Sequence, residues 1–435
     1  MKLIFRHIPL TAALLAFAAA CYAADVRETA ALLSSAITSD KSSDSRCAAI
    51  EALGISRDAA VLKGLAGLLN DPDSSVRPCA IRAAGESKNE LAVAPLLANI
   101  ESYLASDRNM GPYENNLKAR LKAIDSIWSL GEIGDPGVME KFVKFYAESD
   151  DILRVNLVIS MGKFRKADKA GPYLATLAAS VEEAGVVRAA AFEMLAEIGW
   201  NTSMISLAPS KRDGIEKADL IYTGGRVGNM NAWVSPDLPV GHTGIFAGTE
   251  VKNGRINVVI GDCVTNDKVP GGVRNIYSWK NFTNQFRYPY YGNRTTLPKP
   301  TAAQRNRIVE LALALGKLGL KYDATHLSQK GPVEFDCVGY TEYVYEQAGV
   351  NPTPDYYESG LGWPLTPWEQ FEATRPNLPP QSVKQADSAS LQPRAAAPDL
   401  NLILKNFGAL TGAFAVKAAQ PANVNTAIHP AAADQ

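Results

Sequence analysis

The feature that most narrows what this chain can fold into is a repeat. Arg46-Cys47-Ala48-Ala49-Ile50-Glu51-Ala52-Leu53-Gly54 returns as Arg77-Pro78-Cys79-Ala80-Ile81-Arg82-Ala83-Ala84-Gly85. The frame recurs at Arg154–Gly162, at Ala123–Gly131 without the arginine, and at Arg188–Ala196 with alanine in place of glycine. Each copy has apolar residues at helical spacing, and polar turns such as Asn70-Asp71-Pro72-Asp73-Ser74-Ser75 lie between copies. One such unit cannot bury its apolar face alone, so the five copies must stack and share a core. The arginines at 46, 77, 154 and 188 suggest either an anion-binding ladder or pairing with acidic turns of the same or next repeat. Fixed phase favours the second. Residues 101–122 read as an insertion, with Asp107–Pro112 as its loop.

These units resemble HEAT-like repeats, helix pairs stacked into an α-solenoid, here over residues 25–200. A solenoid surface implies a protein partner. Asn201–Lys217 is polar and reads as a linker.

The second organising stretch is Phe335-Asp336-Cys337-Val338-Gly339-Tyr340-Thr341-Glu342-Tyr343-Val344-Tyr345-Glu346-Gln347-Ala348-Gly349. Val338, Thr341, Val344 and Tyr345 share a helical face, and Gly349 supplies a stop. Cys337 then opens the helix, where backbone N–H groups point outward and favour a thiolate, the nucleophilic form. A buried, inert cysteine has the same appearance in sequence. A thiolate needs a base. Of the four histidines, His7 and His429 are terminal, which leaves His242 and His326. His242 is on a strand-like segment and His326 in a loop-like one, so His242 is the preferred base.

Phe335-Asp336-Cys337-Val338-Gly339 with Tyr343–Gly349 resembles the nucleophile helix of NlpC-type cell-wall cysteine peptidases, a papain-like superfamily. Gly241-His242-Thr243-Gly244-Ile245-Phe246-Ala247-Gly248 is similar to that family's histidine strand, and Asp219-Leu220-Ile221-Tyr222 to the strand before it. His242 precedes Cys337, as in the circularly permuted, YiiX-like branch. Chain order is immaterial to such a site, because geometry defines it. The resemblance implies a third polar residue on the strand after the histidine. Gly261 falls near that place, Asp262 is the candidate, and Asn266 and Asp267 compete with it. It also implies that Tyr322, after the helix Ala302–Leu315, helps hold the oxyanion. Val338 departs from the family, where serine commonly follows the cysteine.

The expected fold class is thus an α-solenoid followed by a circularly permuted α+β papain-like domain at 216–374, with a Pro/Ala-rich, mostly disordered tail at 375–435. In the tail, Leu400–Phe407 reads as a short apolar helix. Residues 1–23 read as an export signal, and lipid attached to Cys21 is the rival reading. Localisation is then periplasmic or secreted. A Cys47–Cys79 bridge is conceivable in an oxidising compartment; four free thiols are the alternative. A net charge of −1 without a basic stripe argues against nucleic acid. Two internal histidines without a clustered second ligand argue against a metal, so no cofactor is expected. Residues 276–300 hold seven aromatics, which read equally as a sugar or peptide groove or as a loop pinned by its own rings.

The expected activity is amide hydrolysis through Cys337, His242, Asp262 and Tyr322, and the resemblance implies a peptidoglycan peptide as substrate. Hydrolysis or transfer of a lipid or ester acyl group, and a non-catalytic binding role in which the solenoid carries the function, are the alternatives.

Overall fold

The repeated segments become one row of helices. The computed structural model describes residues 31–36, 38, 42–73, 75–106, 113–164, 167–224, 240–266, 269–324, 334–353 and 365–376. The export signal with Cys21, His326, Asp267, the loop after Gly224 and the tail beyond Pro376 lie outside them.

The motif occupies α1 (Ser43–Leu53), α3 (Arg77–Glu86), α5 (Tyr113–Ile133), α7 (Asp151–Lys163) and α9 (Gly185–Glu197). Between them run α2 (Ala59–Leu68), α4 (Val93–Ala105), α6 (Met139–Glu148) and α8 (Ala167–Ala179). Asp58 caps α2 through the N–H groups of Ala60 and Val61, and Asp150 caps α7 through those of Ile152 and Leu153. Such a cap stabilises a helix by about 1 kcal/mol. The motif helices touch in succession, and the repeated glycine is where they meet. A Cβ on Gly85 would meet Ser129 Cα at 2.8 Å, one on Gly131 would meet Ser160 Cβ at 2.7 Å, and one on Gly162 would meet Met194 Cβ at 2.7 Å. Ala196 fills the position in the last copy and is exposed, so no side chain crowds it there.

The repeated arginines clamp each repeat to the next. Arg46 Nε donates to the Ala36 carbonyl at 2.9 Å, and its Nη1 donates to Asp71 Oδ1 at 3.0 Å. Arg77 Nε donates to the Asp71 carbonyl at 2.6 Å. Arg154 reaches the Tyr146 carbonyl behind it and Glu183 ahead. Arg188 donates to the carbonyls of Ala178, Ser206 and Ala208. The copy at Ala123 lacks the arginine, and Arg120, one helical turn earlier, pairs with Asp150 at 2.8 Å instead. These bonds consume the guanidinium groups, which rules against an anion ladder. Cys47 and Cys79 form a disulfide joining α1 to α3. The insertion at 101–122 is, in its described residues, mostly the end of α4 and the first half of α5. The linker at 201–217 is tied down, since Arg188 holds its carbonyls and Lys211 N–H donates to Val181.

A sheet follows. Its strands are β1 (Leu220–Gly224), β2 (Val240–Lys252), β3 (Arg255–Asn266), β4 (Val269–Ile276), β5 (Tyr290–Thr295), β6 (Lys321–Tyr322), β7 (Glu334–Phe335) and β8 (Arg375–Pro376). Their order is β7-β6-β4-β3-β2-β1-β5-β8, antiparallel except for β6 with β7. Asn253 and Gly254, at φ 53° and 69°, make the tight turn between β2 and β3. The helices of this part are α10 (Trp279–Phe282), α11 (Ala302–Leu315), α12 (Cys337–Glu346) and α13 (Pro367–Ala373). Gly261 pairs with Ile245, and a Cβ on Gly261 would meet the Tyr340 hydroxyl of α12 at 2.5 Å. A Cβ on Gly244, which points to the other face, would meet Phe282 at 3.0 Å. One face therefore takes α11 and α12, and the other takes the one-turn α10.

The aromatic stretch is pinned by its own rings, Trp279 packing on Phe282 and Tyr290, and it is also tied to the helical row. Trp279, Phe282, Tyr290 and Tyr291 are buried. Glu193 of α9 accepts the N–H groups of Trp279 and Lys280 at 2.7 and 2.9 Å. Trp279 Nε1 donates to the Val186 carbonyl at 3.0 Å. Asn156 of α7 exchanges two hydrogen bonds with the Tyr290 backbone, and the Tyr291 hydroxyl donates to Asp125 of α5 at 2.6 Å. The aromatics are the seam by which the helical row grips the sheet, and α9 also packs on β3. No helix among the described residues is long and apolar enough to cross a membrane.

Candidate functional site

The β2–β3 ladder closes with Ile245 opposite Gly261, and His242 and Asp262 meet just beyond its end. His242 Nε2 donates to Asp262 Oδ1 at 2.7 Å. Phe282 packs beside the imidazole, with ring centroids 5.5 Å apart. Asp262 is fully buried.

Cys337 opens α12. Asp336 caps that helix by accepting the Gly339 N–H at 2.7 Å, which fixes the first turn and the direction of the Cys337 side chain. A buried polar cluster holds the helix against the sheet. Gln370 of α13 accepts the hydroxyls of Tyr222 and Thr243, both at 3.1 Å, and donates to Thr341 and Glu342 of α12 at 2.9 and 2.7 Å. Val338 and Leu365 pack with Cys337. A valine after the cysteine therefore closes the wall of the site with an apolar side chain.

The Cys337 sulfur is close enough to act on the His242 ring. Burial opposes charge on the ring, but the Asp262 carboxylate and the Cys337 sulfur outweigh it and push the imidazole up to about 10. At neutral pH the ring is then an imidazolium, poised to give a proton.

Tyr322 lies on β6, whose neighbour β7 runs directly into Asp336 and Cys337. Burial, then Cys337 and Asp336, push its phenol well above the ordinary range, so it stays protonated and can donate. Cys263, the other free thiol, donates to the Phe335 carbonyl at 3.2 Å. Burial and the nearby Asp262 push its thiol up, which leaves it inert. Among the described residues no group of three or more His, Cys, Asp or Glu could hold a metal ion.

Cys337, His242, Asp262 and Tyr322 thus fall in one neighbourhood. His326, Asp267 and the side chain of Asn266 lie outside the described residues. Sequence reasoning missed Arg274. It pairs with Asp262 across β3 and β4, and its Nε is 3.6 Å from Asp262 Oδ2. Only the ladder register brings it there. Gln370 was missed for the same reason: its partners are 28 to 148 residues away.

No curated protein matches the sequence. Residues 12–108, under a quarter of the chain, match the family of HEAT repeats.

Proposed function

We propose that the sheet-containing part of this protein is a circularly permuted, papain-like thiol hydrolase of the NlpC type, acting on an amide bond in peptidoglycan peptides outside the cytoplasm. The observation that carries the reading is one cluster: Cys337 at a helix N terminus, His242 on whose ring its sulfur acts, and Asp262 hydrogen-bonded to that ring. The Cys337 thiolate attacks the carbonyl carbon, and the oxyanion forms beside the Cys337 N–H and the Tyr322 hydroxyl. The His242 imidazolium gives its proton to the leaving amine, and the acyl group stays on sulfur as a thioester. His242 then takes a proton from water, the hydroxide clears the thioester, and the thiolate returns. Asp262 holds the ring in place throughout. The helical repeats, wedded to the sheet through Glu193, Asn156 and Asp125, present the substrate or a protein partner to this site.

The test is hydrolysis of purified muropeptides and of simple acyl esters by the wild type and by Cys337→Ala. Peptide cleavage by the wild type alone supports the reading. Ester cleavage without peptide cleavage moves the substrate to an acyl ester on the same residues. Equal inactivity of both proteins, with a biological role that survives Cys337→Ala, makes the domain a binding module and overturns the reading.

A further inference from the structure

We propose that Arg274 is a positioning residue of this site, dividing the charge of Asp262 between two cations and so limiting how tightly Asp262 holds the proton on His242. The inference rests on the thiol-hydrolase reading for its catalytic meaning, but not for its test.

Asp262 uses one oxygen on each side. Oδ1 accepts from His242 Nε2 at 2.7 Å, and Oδ2 faces Arg274 Nε at 3.6 Å. Asp262 Oδ2 and Arg274 Nε are buried and make no hydrogen bond. The second oxygen is thus held by charge and not by a fixed bond. The structural arginines of the helical row differ, since Arg46 is saturated by Ala36 and Asp71. The Arg274 side chain is 33% exposed against 1% for Asp262, so one end reaches solvent while Nε reaches the buried carboxylate.

The groups around the pair come from four elements. Asp262 and Cys263 come from β3, Arg274 from β4, Tyr322 from β6, and Cys337 and Tyr340 from α12 with its cap Asp336. Of these, Asp262 and Cys337 favour a charged imidazole. Arg274 is the cation that opposes them: it repels the imidazolium and draws off part of the Asp262 charge. A general acid must release its proton at the leaving group, so a ring held too tightly donates too slowly. Arg274 keeps His242 able to donate.

The experiment is an NMR titration of the His242 ring in the full chain. It is run in the Cys337→Ala background, where loss of the sulfur brings the ring's titration down. His242→Ala assigns the signal among the four histidines. Arg274→Gln is expected to raise the titration midpoint by about one pH unit, and Arg274→Lys to restore most of the original value. Arg274→Met serves the same comparison if the glutamine variant does not fold. An unchanged midpoint in a folded Gln or Met variant overturns the proposal, and so does a midpoint that falls. The hydrolase reading is tested separately by the wild type against Cys337→Ala. A ring indifferent to the sulfur but shifted by Arg274→Gln sinks the thiol chemistry and keeps Arg274 as the modulator of the pair.

Discussion

The helical row and the sheet both bury cations against carboxylates, and they finish the job differently. In the row, Arg46 lies between Asp71 and the Ala36 carbonyl, Arg120 between Asp150 and the Tyr103 hydroxyl, and Arg188 among three carbonyls. Every one is a permanent cation in a closed set of bonds. In the sheet, Asp262 meets a titratable imidazole on one oxygen and a distant guanidinium on the other, with a free thiol alongside. Cysteine divides the same way. Cys47 and Cys79 are locked in a disulfide in the row, while Cys337 is free at a helix N terminus in the sheet. Where bonding is complete, the groups serve the fold. Where a proton can still move, they can serve chemistry.

The sharpest way to break this comparison is a crossed pair of substitutions. Cys337→Ala should lower turnover of the peptidoglycan peptide by about a thousandfold or more and change stability by about 1 kcal/mol or less, because one small atom is lost. Arg46→Ala should do the reverse. It strands the buried Asp71 carboxylate and costs about 3–5 kcal/mol in a denaturant titration, while activity per folded molecule is unchanged. A loss of activity from Arg46→Ala at full folding would mean that the two regions are not separate in role.

The seam should show a pH signature of intermediate size. Burial raises the Glu193 carboxyl from 4.5 to about 7, against the pull of the Lys280 and Trp279 N–H groups. Its folded value lies above its unfolded one, so the folded state binds the proton more tightly. The contribution is therefore full below about pH 4.5 and is lost as pH rises through about 7. The span corresponds to roughly 3 kcal/mol. Burial raises Asp125 to about 6, and it acts in the same direction over a narrower window. In chemical unfolding across this range, Glu193→Gln should flatten the slope relative to wild type; an identical slope would refute the assignment.

The smallest effects come from the glycines. A Cβ at Gly131 would press on the Ser160 backbone, so Gly131→Ala should cost about 1–3 kcal/mol and leave activity alone. Gly261→Ala presses instead on the Tyr340 hydroxyl of α12, next to Asp262 and on the helix that carries Cys337. It should lower activity more than stability, as activity and thermal-melt measurements on the two variants would show.

The legible parts were those with local periodicity. The repeat announced the helical row, because an arginine and a glycine at fixed phase each answer to the neighbouring repeat: Arg46 to Asp71, Gly131 to Ser160. The strand-like segment Val240–Gly248 carried His242, and the helix-opening position of Cys337 was visible in its apolar face. What stayed hidden depended on partners far along the chain. Asn156 and Tyr290 are 134 residues apart, and Tyr291 and Asp125 are 166. No local pattern tells a seam of buried aromatics from a groove lined by them. Arg274 was hidden by register alone.

The most direct test of the account is the pH dependence of Cys337 alkylation, read peptide by peptide in wild type and in His242→Ala, with Cys263 as the internal control. The account predicts that Cys337 is modified readily at pH 6.5 while Cys263 is not, and that His242→Ala slows Cys337 by about tenfold or more. Modification of Cys337 no faster than of Cys263 in the folded protein, or at a rate indifferent to His242, would contradict it.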